Sequence, residues 1–185
     1  MKKYLLIGSA PYIRDWYELN GQAFFKAGFE LVAMNNAWVV DPDKVKYWIH
    51  ANDFHVNGTH HPTTKHKEGW KENETDDREV VAPYTYQFKE GTGTTILNTL
   101  CQILNWGERC IVAIAGSDCV YDGDKSHFYE GGTSDPLRYG EEWLVTELER
   151  VGRFYETECC QIFNVGGQER SLLPYEKKTP KDLIL

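Results

Sequence analysis

Residues 95–116 read TILNTLCQILNWGERCIVAIAG. In the first half, Ile96, Leu97, Leu100, Ile103 and Leu104 recur at helical spacing, and Gly107 follows. That pattern predicts a helix over 95–106. The second half is the most apolar run of the chain, which predicts a central strand over 109–115, covered on both faces. A helix feeding directly into a two-face-buried strand is half of a β-α-β unit.

The same alternation extends in both directions. Toward the N-terminus, a short apolar run ending in Gly8 predicts a first strand over 3–7. Ala23, Phe24 and Ala27, closed by Gly28, predict a helix over 20–27. Strands follow over 29–34 and 44–50. Toward the C-terminus, Asp135-Pro136 is suited to start a helix running through Trp143, Leu144, Leu148 and Val151 to about Glu158. A last strand spans 160–165, and the remaining tail reads as irregular. Strands alternating with helices imply right-handed crossovers and a parallel sheet. The expected fold is a single Rossmann-like α/β domain over 1–185, a mostly parallel sheet with helices on both faces. The polar stretch 52–90 interrupts the alternation and reads as a lid-like insertion.

Composition bounds the function. The 185 residues are 41% hydrophobic and 26% charged, which is the profile of a globular chain. Twenty-eight acidic against 20 basic residues give a formal charge of −8, which argues against a nucleic-acid or anionic-membrane partner. No stretch approaches the ~20 apolar residues of a membrane span. Five cysteines without a C-x-x-C pair argue against a disulfide framework. The start MKKYLLIG reads as a strand, not a signal peptide, so a cytoplasmic chain is expected.

In open α/β sheets, ligands bind outside the carboxyl ends of the strands. The polar residues collect there. Gly8-Ser9-Ala10-Pro11 ends the first strand; its amides suit a phosphate or ribose, or the glycine serves only a tight turn. Asn35 and Asn36 end the second strand; His50, Asn52 and Asp53 end the third. Gly91-Thr92-Gly93-Thr94-Thr95 opens the main helix, where hydroxyls hold a nucleotide or merely cap the helix. Gly116-Ser117-Asp118 follows the apolar strand, and His127 lies in the glycine- and aspartate-rich loop beyond it. An imidazole there can act as general base near neutral pH, or can simply be solvated. His50, His55, His60, His61 and His66 match no standard zinc spacing, and no metal is expected.

Taken in order, these segments resemble a superfamily that contains the family 42 sialyltransferases, archaeal 6-hydroxymethylpterin diphosphokinase-like enzymes and small phage proteins. Gly8-Ser9-Ala10-Pro11 is similar to their G-x-x-P turn, and Met34-Asn35-Asn36-Ala37-Trp38 to their asparagine-bearing second strand end. Thr92-Gly93-Thr94-Thr95, the helix, the strand and Gly116-Ser117-Asp118 resemble their threonine-helix-strand-G-x-D segment. Ser126-His127-Phe128-Tyr129 is similar to their S-H-Y element. The resemblance runs from Lys3 to about Val165. It implies an inverting glycosyltransferase that needs no metal or other cofactor and takes a CMP-sugar as donor, with His127 as general base. Tyr121 and Tyr129 would assist the leaving phosphate. By that resemblance Gly8, Ser9, Asn35, Thr92, Gly93 and Thr94 would contact the nucleotide; their place at the same strand ends adds Ala10, Asn36, Gly116 and Asp118 as nucleotide contacts and His50, Asn52 and Asp53 as substrate contacts. Two alternatives stand beside it. One is a Mg²⁺-dependent pterin diphosphokinase-like phosphotransferase using Asp118, Asp122 and Asp124; the other is a non-enzymatic phage accessory protein with a vestigial pocket. The acceptor is unspecified, and a homo-oligomer is left open.

Overall fold

The structure is a computed structural model that describes residues 1–51, 84–88, 94–120 and 140–184. Seven parallel strands form one sheet: β1 (Lys2–Ile7), β2 (Glu30–Met34), β3 (Val45–Ala51), β4 (Tyr84–Phe88), β5 (Cys110–Ala115), β6 (Gln161–Asn164) and β7 (Glu176–Lys177). Their spatial order is β4-β3-β2-β1-β5-β6-β7. The helices are α1 (Ile13–Lys26), α2 (Thr95–Asn105), α3 (Glu141–Thr157) and the short α4 (Pro180–Ile184), with a 3₁₀ segment over Asn35–Val40. This is the α/β, Rossmann-like architecture the alternation implies.

The strands are apolar on both sides because both sides are covered. Along β1 the side chains alternate between two cores, as a period of two requires. Tyr4 and Leu6 join Ile96, Leu100 and Ile103 of α2 and Leu144 and Leu148 of α3. Leu5 and Ile7 join Ile13, Tyr17 and Phe24 of α1, with Leu183 and Ile184 of α4 packed against them. All four of these β1 side chains are at most 1% exposed.

Five details differ from the sequence reading. Helix α3 begins at Glu141, after Gly140 at φ +81°, and not at Asp135-Pro136. Helix α1 begins at Ile13, not near residue 20. Its buried face is Ile13, Tyr17, Gly21 and Phe24, and a tyrosine and a glycine hide the helical period from a search for aliphatics. Residues 84–88, within the stretch read as a lid, pair with β3 from Tyr47↔Tyr84 to Ala51↔Phe88 and form the edge strand. The tail also carries order. Glu176 and Lys177 pair beside β6 as β7, and α4 is fixed by Asp182 Oδ2 accepting from the Thr179 amide (2.9 Å) and hydroxyl (2.7 Å). A two-residue strand has no period to detect, and Thr179-Pro180 is a helix start only in retrospect. Finally, β5 lies one place off centre; β1 holds the middle.

Candidate functional site

Strands β1 to β4 build outward in one direction and β5 to β7 in the other. The chain therefore reverses direction between β1 and β5, and the crevice outside their carboxyl ends is where such sheets take ligands.

The two strand ends meet closely there. The Gly8 amide donates to Ala115 O (2.9 Å) and the Ala10 amide to Gly116 O (3.0 Å). A Cβ on Gly8 would collide with Gly116 O and Ser117 Oγ, and one on Gly116 would lie 2.9 Å from Gly8 O and from Ile13. Gly116 also has φ +71°. The pair of glycines is required by this close approach. Two amides of the Gly8–Pro11 turn are thus occupied by the end of β5 and the glycine after it, and Pro11 has none. The expectation that this turn presents its amides to a phosphate is not met at Gly8 and Ala10, and Ser9 is half-buried with an interaction of its own.

On the β2 side lie Asn35, Asn36 and Thr94. Asn35 adopts φ +46°, a region asparagine tolerates better than most residues. Its carbonyl accepts from Trp48 Nε1 (2.7 Å), and its Nδ2 donates to Thr95 Oγ1 (3.1 Å), tying the end of β2 to the start of α2. Thr94 occupies the N-cap position of α2, yet makes no side-chain capping bond. Its Oγ1 is buried without a partner among the described residues, and so are Asn35 Oδ1 and Asn36 Oδ1. Buried polar atoms are normally satisfied, so three orphans at one strand end and the adjoining helix start are a strong departure. The first-turn amides and the positive end of the α2 dipole lie beside them.

On the β5 side, Asp118 is 7% exposed. Its Oδ2 accepts from the Tyr12 hydroxyl, and that hydroxyl accepts from the Gly116 amide (3.1 Å). Burial, and then the Asp118 charge, push the Tyr12 phenol well above its ordinary range. Tyr12 was not singled out in the sequence; it is one of 11 tyrosines and belongs to no motif. Asn164 at the end of β6 has both side-chain polar atoms bonded, donating to Ser171 Oγ (3.1 Å) and accepting from the Gly166 amide (3.1 Å).

The structure thus gathers Gly8, Ser9, Ala10, Asn35, Asn36, Thr94, Gly116 and Asp118 along the carboxyl edge. His50 is also near that edge, but it is 1% exposed and its ring stacks on Trp48 at 4.0 Å. Asn52, Asp53, Thr92, Gly93, Tyr121, Asp122, Asp124, His127 and Tyr129 lie outside the described residues, as do the remaining histidines. Among the described residues no group of three or more His, Cys, Asp or Glu side chains is placed to hold a metal ion, and no helix is long and apolar enough to cross a membrane. In comparisons with protein-family models, curated proteins and solved structures, nothing matches the chain.

Proposed function

We propose that the chain is a nucleotide-sugar-dependent glycosyltransferase of the sialyltransferase-like kind. The observation that supports it is the set of orphaned buried oxygens on Asn35, Asn36 and Thr94 beside the uncapped start of α2. A nucleotide meets both needs: its hydroxyl and amino donors satisfy the acceptors, and its phosphate faces the helix amides. The family resemblance adds the reaction. His127 takes the proton of the acceptor hydroxyl, the sugar transfers with inversion, and Tyr121 and Tyr129 steady the leaving phosphate.

A thermal-shift panel of CMP, UMP, ATP and sugar nucleotides, with and without Mg²⁺, tests this. A ligand present at a hundred times its dissociation constant adds about 2.7 kcal/mol, which moves the melting temperature by several degrees. The expected result is stabilisation by a pyrimidine nucleotide without Mg²⁺. His127→Ala is expected to keep that binding and lose transfer. Stabilisation by ATP only with Mg²⁺ would replace this reading with phosphotransfer through Asp118, Asp122 and Asp124. No shift with any nucleotide would leave a non-enzymatic role.

A further inference from the structure

Asp118 is a buried carboxylate with half of its acceptors unused. Oδ2 is held by Tyr12, but Oδ1 is buried and has no partner among the described residues. The carboxylate is also held in place from several sides. Its own carbonyl accepts from the Leu172 amide at 2.9 Å, which ties the loop after β5 to the segment after β6. The Tyr12 hydroxyl is pinned by the Gly116 amide, and Gly166 approaches that hydroxyl so closely that any Cβ would strike it. The run of bonds from amide to phenol to carboxylate orients one oxygen and leaves the other open. Leaving a buried ionised oxygen unmatched is costly.

The chemistry of the missing partner follows from the charge. A carboxylate repels phosphate, so Asp118 is not a phosphate ligand. It takes an O–H or N–H donor or a cation. A divalent cation needs several oxygen ligands besides one carboxylate, so Mg²⁺ is an arm of the test below. Asp118 follows β5, whereas the orphans of Asn35 and Thr94 lie at the end of β2 and the start of α2, with β1 between. It is therefore set apart from the nucleotide-side group by the width of the crevice.

We infer that Asp118 determines specificity for the glycosyl part of the ligand, its Oδ1 accepting a hydrogen bond from a sugar hydroxyl, with Tyr12 as its positioning residue. The inference rests on the sugar-nucleotide reading of the same crevice. It moves Asp118 from the nucleotide contacts to the sugar contacts.

Calorimetric titration of wild type, Asp118→Asn and Tyr12→Phe with CMP, UDP, CMP-sialic acid and UDP-glucose tests it. Asn keeps the shape and removes the charge; Phe keeps the ring and removes the orienting hydroxyl. Asp118→Asn is expected to weaken the sugar nucleotide that wild type binds by about tenfold or more, while the bare nucleotide stays within about twofold. Tyr12→Phe is expected to shift the same ratio in the same direction by a smaller factor. Equal weakening of bare and sugar-bearing nucleotide, or no weakening of either, overturns the assignment and leaves the nucleotide reading standing. Stabilisation of wild type but not of Asp118→Asn by Mg²⁺ alone also overturns it, in favour of a cation. If wild type binds none of the four compounds, the sugar-nucleotide reading falls and this inference with it. Melting temperatures of both variants control for folding. Should Asp118→Asn fail to fold, the Tyr12→Phe ratio decides alone.

Discussion

A methyl group on Gly8 would land on the carbonyl of Gly116 and the hydroxyl of Ser117. At Gly116 it would press on Gly8 O and Ile13 from a backbone at φ +71°. Each site meets a side chain that can turn away, Ser117 at Gly8 and Ile13 at Gly116, but each also meets a backbone carbonyl, so the backbone itself must move. Overpacking of this kind typically costs about 1–3 kcal/mol, and the positive φ at Gly116 adds roughly 1 kcal/mol. Gly8→Ala and Gly116→Ala are therefore expected to lower unfolding free energy by about 2 kcal/mol or more in urea titrations. Gly28→Ala is the internal comparison. Gly28 has φ +84° but nothing within 4 Å of its Cβ direction, so only the backbone penalty of about 1 kcal/mol applies. Equal losses at all three positions would show that close approach is not what Gly8 and Gly116 supply. The sequence marks Gly8 as a turn glycine, but the partner across the crevice is visible only once β1 and β5 are neighbours. Tyr12 was hidden for the same reason, since its role depends on Asp118, 106 positions away.

At the scale of elements, the start of α2 separates two readings that the sequence left equal. A threonine at an N-cap ordinarily bonds a first-turn amide, and replacing it by alanine costs about 1 kcal/mol. Thr94 makes no such bond, and its buried Oγ1 has no partner among the described residues. Thr94→Ala is thus expected to change stability by less than about 0.5 kcal/mol while weakening nucleotide binding measured by calorimetry. A loss of about 1 kcal/mol with unchanged nucleotide affinity would return Thr94 to an ordinary cap. Helix α2 and strand β5 were legible because their aliphatic spacing is regular, with one buried face on α2 and a nearly continuous buried run in β5. Helix α1 was legible only in its second half, because Tyr17 and Gly21 carry its buried face. Strand β4 was not legible. Its five residues YTYQF sit next to long polar neighbours, and its aromatics find their place through non-local contacts, Tyr84 stacking on Tyr47 at 5.2 Å and Tyr86 packing near Trp106 at 5.5 Å.

Over the whole molecule, a parallel sheet buried on both faces also buries phenols and thiols in numbers. Burial above all pushes Cys110 and Cys119 up to about 12, with the Cys160 interaction adding at Cys110 and the Asp118 charge at Cys119. Burial first, and neighbouring charges second, raise the phenols of Tyr4, Tyr12 and Tyr155, and burial followed by the Asp41 interaction raises Tyr17. Each of these groups is held neutral by the fold. When the chain unfolds, the thiols return to about 9 and the phenols to about 10. The contribution is therefore complete below pH 9. Above that, the unfolded chain releases protons that the folded chain retains, and stability falls until the folded values are reached. Each group fully ionised only in the unfolded state contributes a loss of about 1.4 kcal/mol per pH unit. Unfolding free energy from urea titrations is expected to vary little between pH 7 and 8.5, to decline from pH 9, and to decline more steeply past pH 10 as the phenols join the thiols. The native protein should meanwhile show almost no tyrosinate absorbance from its buried phenols at pH 10.5, and the urea-unfolded protein should show it strongly. Stability that holds level to pH 10.5, or tyrosinate appearing before unfolding, would mean that these side chains reach solvent and that the two cores are less closed than their burial implies.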